Sequence, residues 1–191
     1  MATDAPAPRK PRADAERNRE RLLEAAMAAF AAQGAAASLE EIARSAGVGI
    51  GTLYRHFPTR DALIEHVYRQ AIGQLGDAAE TLARTHPPFE ALRQWLLLFV
   101  DYLATKKIMA GALNTLVAGP AELYAASGSQ LQTAIAALTE RAVASGDIVL
   151  DVEPLDLLRA VAGVANASPG ADWQAGAKRM VAILLAGMRP A

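Results

Sequence analysis

Apolar residues recur at three- and four-residue spacing along nearly the whole chain, and strict apolar–polar alternation is sustained nowhere. That spacing lines apolar side chains along one stripe of an α-helix, whereas a half-buried strand needs a period of two. Composition points the same way: 44 of the 191 residues are alanine, aromatics are 5%, and neither Asn-Gly nor Asp-Gly occurs to turn a hairpin. The expected fold is all-α, with about nine helices. The length allows one domain or two small ones. With no cysteine in the chain, disulfides, thiolate zinc sites and thiol nucleophiles are excluded. The longest apolar runs, 95–100 and 180–188, are shorter than the roughly 18 residues a membrane span needs. The basic N-terminus leads into a broken alanine-rich stretch rather than a signal-peptide core. A soluble cytoplasmic protein with no membrane partner is the expectation.

Punctuation residues divide the chain. Residues 1–13 hold three prolines and the cations Arg9, Lys10 and Arg12 without an apolar period, which reads as a flexible basic arm. A helix over 14–33 stops at Gly34. Ser38-Leu39-Glu40-Glu41 is a capping box, with Ser38 accepting the Glu41 amide while Glu41 reaches back. The short helix it opens ends at Gly47, a second spans 50–57, and Pro58 closes that one. Thr59 caps a helix to about Arg84, weakened in its middle by Gly73 and Gly76. Beyond His86-Pro87-Pro88, residues 90–103 are apolar nearly all round, as in a helix buried on every side. Further helices are expected over 108–117, 121–145, 154–167 and 171–188.

Two short helices joined by a tight glycine-containing turn have helix-turn-helix geometry. The first helix braces across a DNA backbone while the second enters the major groove. Leu53 and Phe57 face inward with Val48 and Ile42, leaving Thr52, Tyr54, Arg55 and His56 outward or flanking. Gly49 and Gly51 each cost about 1 kcal/mol relative to alanine in a helix interior, a cost with a use if backbone must approach another surface closely. The same spacing also suits a plain αα-hairpin with a solvated polar face.

Residues 38–63, with Ile42-Ala43, Ala46-Gly47-Val48, Gly51-Thr52-Leu53-Tyr54-Arg55-His56-Phe57 and Thr59-Arg60-Asp61-Ala62-Leu63, resemble the DNA-binding signature of the TetR/AcrR family of bacterial transcriptional regulators. The resemblance covers roughly 14–75, and its one visible departure is Arg60, where the family usually has lysine. It implies three parts: the arm, 1–13; a DNA-binding domain, 14–75; and a helical effector-binding and dimerisation domain, 76–191. By the same resemblance Thr52, Tyr54 and His56 touch phosphates or base edges, and Gly51, with Gly49 before it, allows close approach. Ile50 meets a thymine methyl, and Arg55 reads guanine or clamps phosphate. Arg60 holds a phosphate with the helix amides, and Ser38 and Arg44 anchor backbone. The partners implied are a palindromic double-stranded DNA operator, a second copy of the chain, and a small-molecule effector whose binding releases the DNA.

Charge is divided accordingly. Residues 1–60 carry nine basic against seven acidic side chains, net +2, while residues 61–191 carry ten against thirteen, net −3. So modest an excess of base needs a dimer that doubles the phosphate contacts.

The last helix lines up Ala177, Met180, Val181, Leu184 and Met188, and the helix from Pro154 offers Leu157, Val161 and Val164. Both leave little polar surface, which fits a homodimer face or a monomer core. Trp95, Phe99 and Tyr102 fall at i, i+4 and i+7, and Met109, Asn114 and Tyr124 are placed to supply an opposite wall. That is the make-up of a ligand pocket for an apolar or weakly polar effector, and equally of plain core. Enzymatic readings find little: His56, His66 and His86 lack metal-ligand spacing, no Gly-x-Ser-x-Gly or phosphate-cradling loop occurs, and neither cofactor nor metal is expected. The rival reading is a helical ligand-binding or protein-interaction module whose helix-turn-helix does not bind DNA.

Overall fold

Eight α-helices and one short 3₁₀ turn make up a computed structural model that describes residues 11–167, 170 and 172–190. In chain order they are α1 (Pro11–Gln33), the 3₁₀ turn (Gly34–Ala36), α2 (Leu39–Ser45), α3 (Ile50–His56) and α4 (Arg60–Thr85), then α5 (Pro88–Leu113), α6 (Ala121–Ala144), α7 (Pro154–Ala167) and α8 (Trp173–Gly187). No strand occurs among the described residues, and none of their helices is long and apolar enough to cross a membrane. Residues 1–10 of the expected arm, with Arg9 and Lys10, lie outside the described residues. Residues 11–13 already belong to α1.

Local chemistry sets most boundaries. Ser38 Oγ accepts the Glu41 amide at 3.4 Å, and Thr59 Oγ1 accepts the Ala62 amide at 3.0 Å. The reciprocal half of the expected capping box is absent. Ser38 Oγ instead donates to Glu40 at 2.9 Å, and Gln33 Nε2 donates to Glu41 at 3.2 Å, so the glutamate ties α2 back to α1.

One expected boundary does not exist: 108–117 is no separate helix, because α5 runs unbroken through Lys106-Lys107 to Leu113. Lysine is a good helix former, and Met109, Ala112 and Leu113 continue the buried stripe of Trp95, Phe99 and Tyr102. Nor is α5 buried on every side, since Leu98 is 40% exposed.

α4 and α5 form the spine. The Trp95 indole N–H donates to the Leu75 carbonyl at 2.8 Å, a buried bond that sets their register. α1 packs on α4, and α2 and α3 pack on α1 and on each other, with Phe30, Ile42, Leu53, Phe57, Leu63 and Ile64 buried completely. α6 covers another side of α4, while α7 and α8 pack on each other and on α5, where Lys178 pairs with Asp101 at 3.4 Å.

Gly73 and Gly76 sit inside α4 with nothing within 4 Å of where a Cβ would stand, so no close packing in this chain requires them. Gly73→Ala is therefore expected to raise stability by about 0.5–1 kcal/mol through the entropy of the unfolded chain. Denaturant midpoints at unchanged slope are the check, and a lower midpoint would contradict the packing described.

Candidate nucleic-acid interface

α2 and α3 meet at a corner whose geometry depends on Gly47. Its φ of +67° lies in the left-handed region that favours glycine, and its amide donates to the Arg44 carbonyl at 3.0 Å while the Val48 amide returns to Ala43 at 3.0 Å. α3 restarts at Gly49, whose carbonyl receives the Thr52 and Leu53 amides at 2.8 and 3.2 Å. With Leu53 and Phe57 fully buried, the helical period turns the opposite side outward. Ile50 is 37% and Tyr54 45% exposed, Gly49, Gly51 and Arg55 are exposed, and Thr52 and His56 are half-buried. Among the described residues, the side chains of Thr52, Tyr54 and Arg55 form no hydrogen bond or ion pair, which leaves their donors available.

Two expected anchors are instead used inside the fold. Arg60 donates from its two terminal nitrogens to the carbonyls of Ala37 and Ala35, at 2.6 and 2.7 Å, and its guanidinium lies 5.5 Å from the centre of the Phe30 ring. It thereby clasps the first turn of α4 to the 3₁₀ turn and the start of α2. Ser38 spends its hydroxyl on the α2 cap. Arg44 remains exposed, 3.8 Å from Glu41.

The structure adds cations that sequence reasoning left out, because their helix is sequence-remote from the corner. Arg19 of α1 lies 5.8 Å from the centre of the Phe57 ring, and the guanidinium of Arg21 comes within 3.6 Å of where a Cβ on Gly47 would stand. Arg19 and Arg21 therefore flank α3 and the turn with positive charge. Their spacing of two along a helix hides this in the sequence.

A cavity of about 200 Å³ opens between α4, α5, α6 and α7. Of the six residues expected to form a pocket, it brings together Phe99, Tyr102 and Tyr124. Trp95 and Met109 are completely buried in the core outside it, and Asn114 is exposed at the end of α5. Trp95 nonetheless backs the site, stacked on Phe99 at 6.1 Å, with Phe99 stacked on Tyr102 at 5.9 Å. Tyr68, Lys106, Ser127 and Arg159 complete the polar lining. The Tyr68 and Tyr102 hydroxyls are 2.6 Å apart, and burial pushes the Tyr102 hydroxyl far above its ordinary pKa, so it stays protonated. A larger cleft of about 480 Å³ runs between α4 and α6 over Gly73 and Gly76.

The stripe expected to pair with a second chain is divided. Leu157, Val161, Ala177 and Val181 are buried within this chain, filling the α7–α8 contact, and Val164, Met180, Leu184 and Met188 are half-buried. The outer faces of the two helices carry small residues, Gly163 and Ala186 among them, around Ile183, which is 64% exposed.

Comparison with known proteins covers both halves of the chain. Residues 22–67 match the family model described as bacterial regulatory proteins, tetR family, and residues 87–190 match the C-terminal domain of SbtR-like transcriptional regulators. The crystal structure of a TetR transcriptional regulator from Streptomyces coelicolor is similar with a TM-score of 0.81 and 44% identity, over 90% of this chain and 98% of that one. A TetR transcription regulatory protein from Mycobacterium vanbaalenii is similar with a TM-score of 0.71 and 30% identity, over 95% and 100% of the two chains. The probable acrEF/envCD operon repressor of Escherichia coli K12 is 31% identical over 99 residues, 50% of this chain and 45% of the repressor. This chain spans less than half the length of the curated relatives it matches.

Proposed function

The chain belongs to the TetR family of bacterial regulatory proteins, and on that premise we propose that it is a ligand-responsive transcriptional regulator. It works as a cytoplasmic homodimer that represses from a palindromic operator until a small molecule releases it. The observation that carries this reading is the outward face of α3, where Tyr54 and Arg55 stand exposed, without a side-chain partner among the described residues, beside backbone bared at Gly49 and Gly51. Arg55 is the base reader, bidentate to guanine, and Ile50 meets a thymine methyl. Thr52, Tyr54 and His56 bind phosphate or base edges, with Arg19, Arg21 and Arg44 on the flanking backbone. Arg60 and Ser38 act by holding the corner that aims α3. The DNA-binding unit is residues 14–75, and 76–191 serve effector binding and dimerisation. The dimer face is the outer side of α7 and α8, with Ile183 and the half-buried Val164, Met180, Leu184 and Met188 at its centre.

α4 couples the two functions. Tyr68 lines the cavity from α4, while two turns earlier Asp61 accepts the Val117 amide at 3.0 Å and Arg60 holds the 3₁₀ turn. An effector that shifts α4 at Tyr68 moves the α3 helices of the dimer apart or together, and one half-site is no longer matched. By linkage, DNA weakens the effector by the same factor.

The test is capture of genomic fragments by the purified protein, followed by affinity measurements on the recovered sequence between low and moderate salt. Affinity is expected to fall linearly on logarithmic axes, with a slope of about −0.9 for each phosphate contacted. A salt-independent affinity, or no fragment recovered, would overturn DNA binding and favour the interaction-module reading.

A further inference from the structure

Continuity of α5 through Lys106 puts that lysine on the same helical face as Phe99 and Tyr102, seven and four residues earlier, at the cavity wall. Its ammonium lies 4.2 Å from the centre of the Tyr124 ring and pairs with no carboxylate among the described residues. Burial lowers its pKa from the ordinary lysine value, as expected of a cation in need of a counter-charge. Among the described residues, no acidic side chain lines the cavity, and the one other cation there, Arg159, already donates to Asp156 at 2.8 Å. The two tyrosine hydroxyls share one hydrogen bond, so one O–H proton of the pair is left without an acceptor among the described residues. Ser127 donates to the Leu123 carbonyl at 2.7 Å and keeps no proton to offer. The cavity thus presents a cation and a surplus hydroxyl donor among an otherwise largely apolar lining that includes Phe99, Leu103, Leu131, Leu155 and Leu158.

We infer that the effector is a small monocarboxylic acid, its carboxylate held by Lys106 and the Tyr68–Tyr102 hydroxyl pair and its apolar body against Phe99 and the leucines. This deepens the effector reading above and rests on it. It also amends the expectation of an apolar or weakly polar effector, because the unbroken α5 carries Lys106 into the cavity wall. A cavity of about 200 Å³ has room for a small ring or a short chain, which makes benzoate and a short fatty acid suitable probes.

The experiment is isothermal titration of the purified full chain, without DNA, using benzoate, benzamide and benzylamine, with hexanoate and hexanamide as an aliphatic pair. Either acid is expected to bind once per chain at least about tenfold tighter than its amide, with benzylamine weakest. Lys106→Met should cost the acid about tenfold or more and leave the amide within about twofold, and Tyr102→Phe should cost the acid several-fold. An amide or amine that binds as tightly as the acid would overturn the inference. So would an acid affinity unmoved by Lys106→Met, or no binding by any of the five compounds. The comparison on the unmodified chain stands even if a variant fails to fold. DNA affinity is measured separately: its absence would overturn the regulator and leave the titration result intact.

Discussion

On the proposed reading, Arg55→Ala is expected to lower the affinity of the dimer for its operator by between about 30-fold and 10⁴-fold. A bidentate arginine–guanine pair is worth about 1–3 kcal/mol of discrimination. A symmetric dimer loses it in both half-sites, about 2–6 kcal/mol in total, and each 1.4 kcal/mol is tenfold. Stability should stay within about 0.5 kcal/mol, because Arg55 is exposed and makes no side-chain bond among the described residues. Measuring the variant on operator and on unrelated DNA separates two roles. A base reader loses specific affinity and keeps non-specific affinity. A phosphate clamp weakens both evenly and reduces the salt slope by about 1 for each phosphate no longer held. Unchanged affinity on both DNAs would remove α3 from the interface altogether.

Phe57→Ala is expected to destabilise the chain by about 3–5 kcal/mol, the range for truncating a large buried aromatic. Phe57 is completely buried at the exit of α3, with its amide on the Leu53 carbonyl at 2.8 Å. Its ring meets the His66 ring edge-on at 5.3 Å and lies beneath the Arg19 guanidinium. It therefore joins α1, α3 and α4 at one point, and its loss leaves a cavity that Pro58 and the capped start of α4 cannot close. At about 2–4 °C per kcal/mol for a chain of this size, the melting temperature should drop by roughly 6–20 °C. DNA binding should fail before the helical signal of α5–α8 does. A shift of less than about 3 °C would show that these helices do not depend on this ring.

The features legible in the sequence are those controlled within a few residues. Caps at Ser38 and Thr59, the turn at Gly47 and the outward set of α3 all follow from local hydrogen bonding and helical period. Where such reasoning fails, a gap in the apolar pattern carries too much weight. Residues 104–107 fall between two expected helices, which divides one helix and leaves the cavity-lining Lys106 out of the expected pocket. The apolar stripes of α7 and α8 are legible as apolar on both sides, but not as to which side packs within this chain. A period says that a face is buried and is silent on whether this chain or a second copy buries it.

The sequence by itself determined the all-helical class, most of the helices and the residues that α3 turns outward, because these depend on propensity, capping and a repeat of about 3.6 residues. Only the tertiary structure decided which side chains meet across the chain. Arg60 clasps Ala37 from 23 positions away, Tyr68 finds Tyr102 across 34, and Lys107 donates to the Ala165 carbonyl at the end of α7 across 58. Such pairings are chosen by how helices pack as bodies, when the burial of many side chains at once fixes their register. No local pattern of residue types encodes that choice.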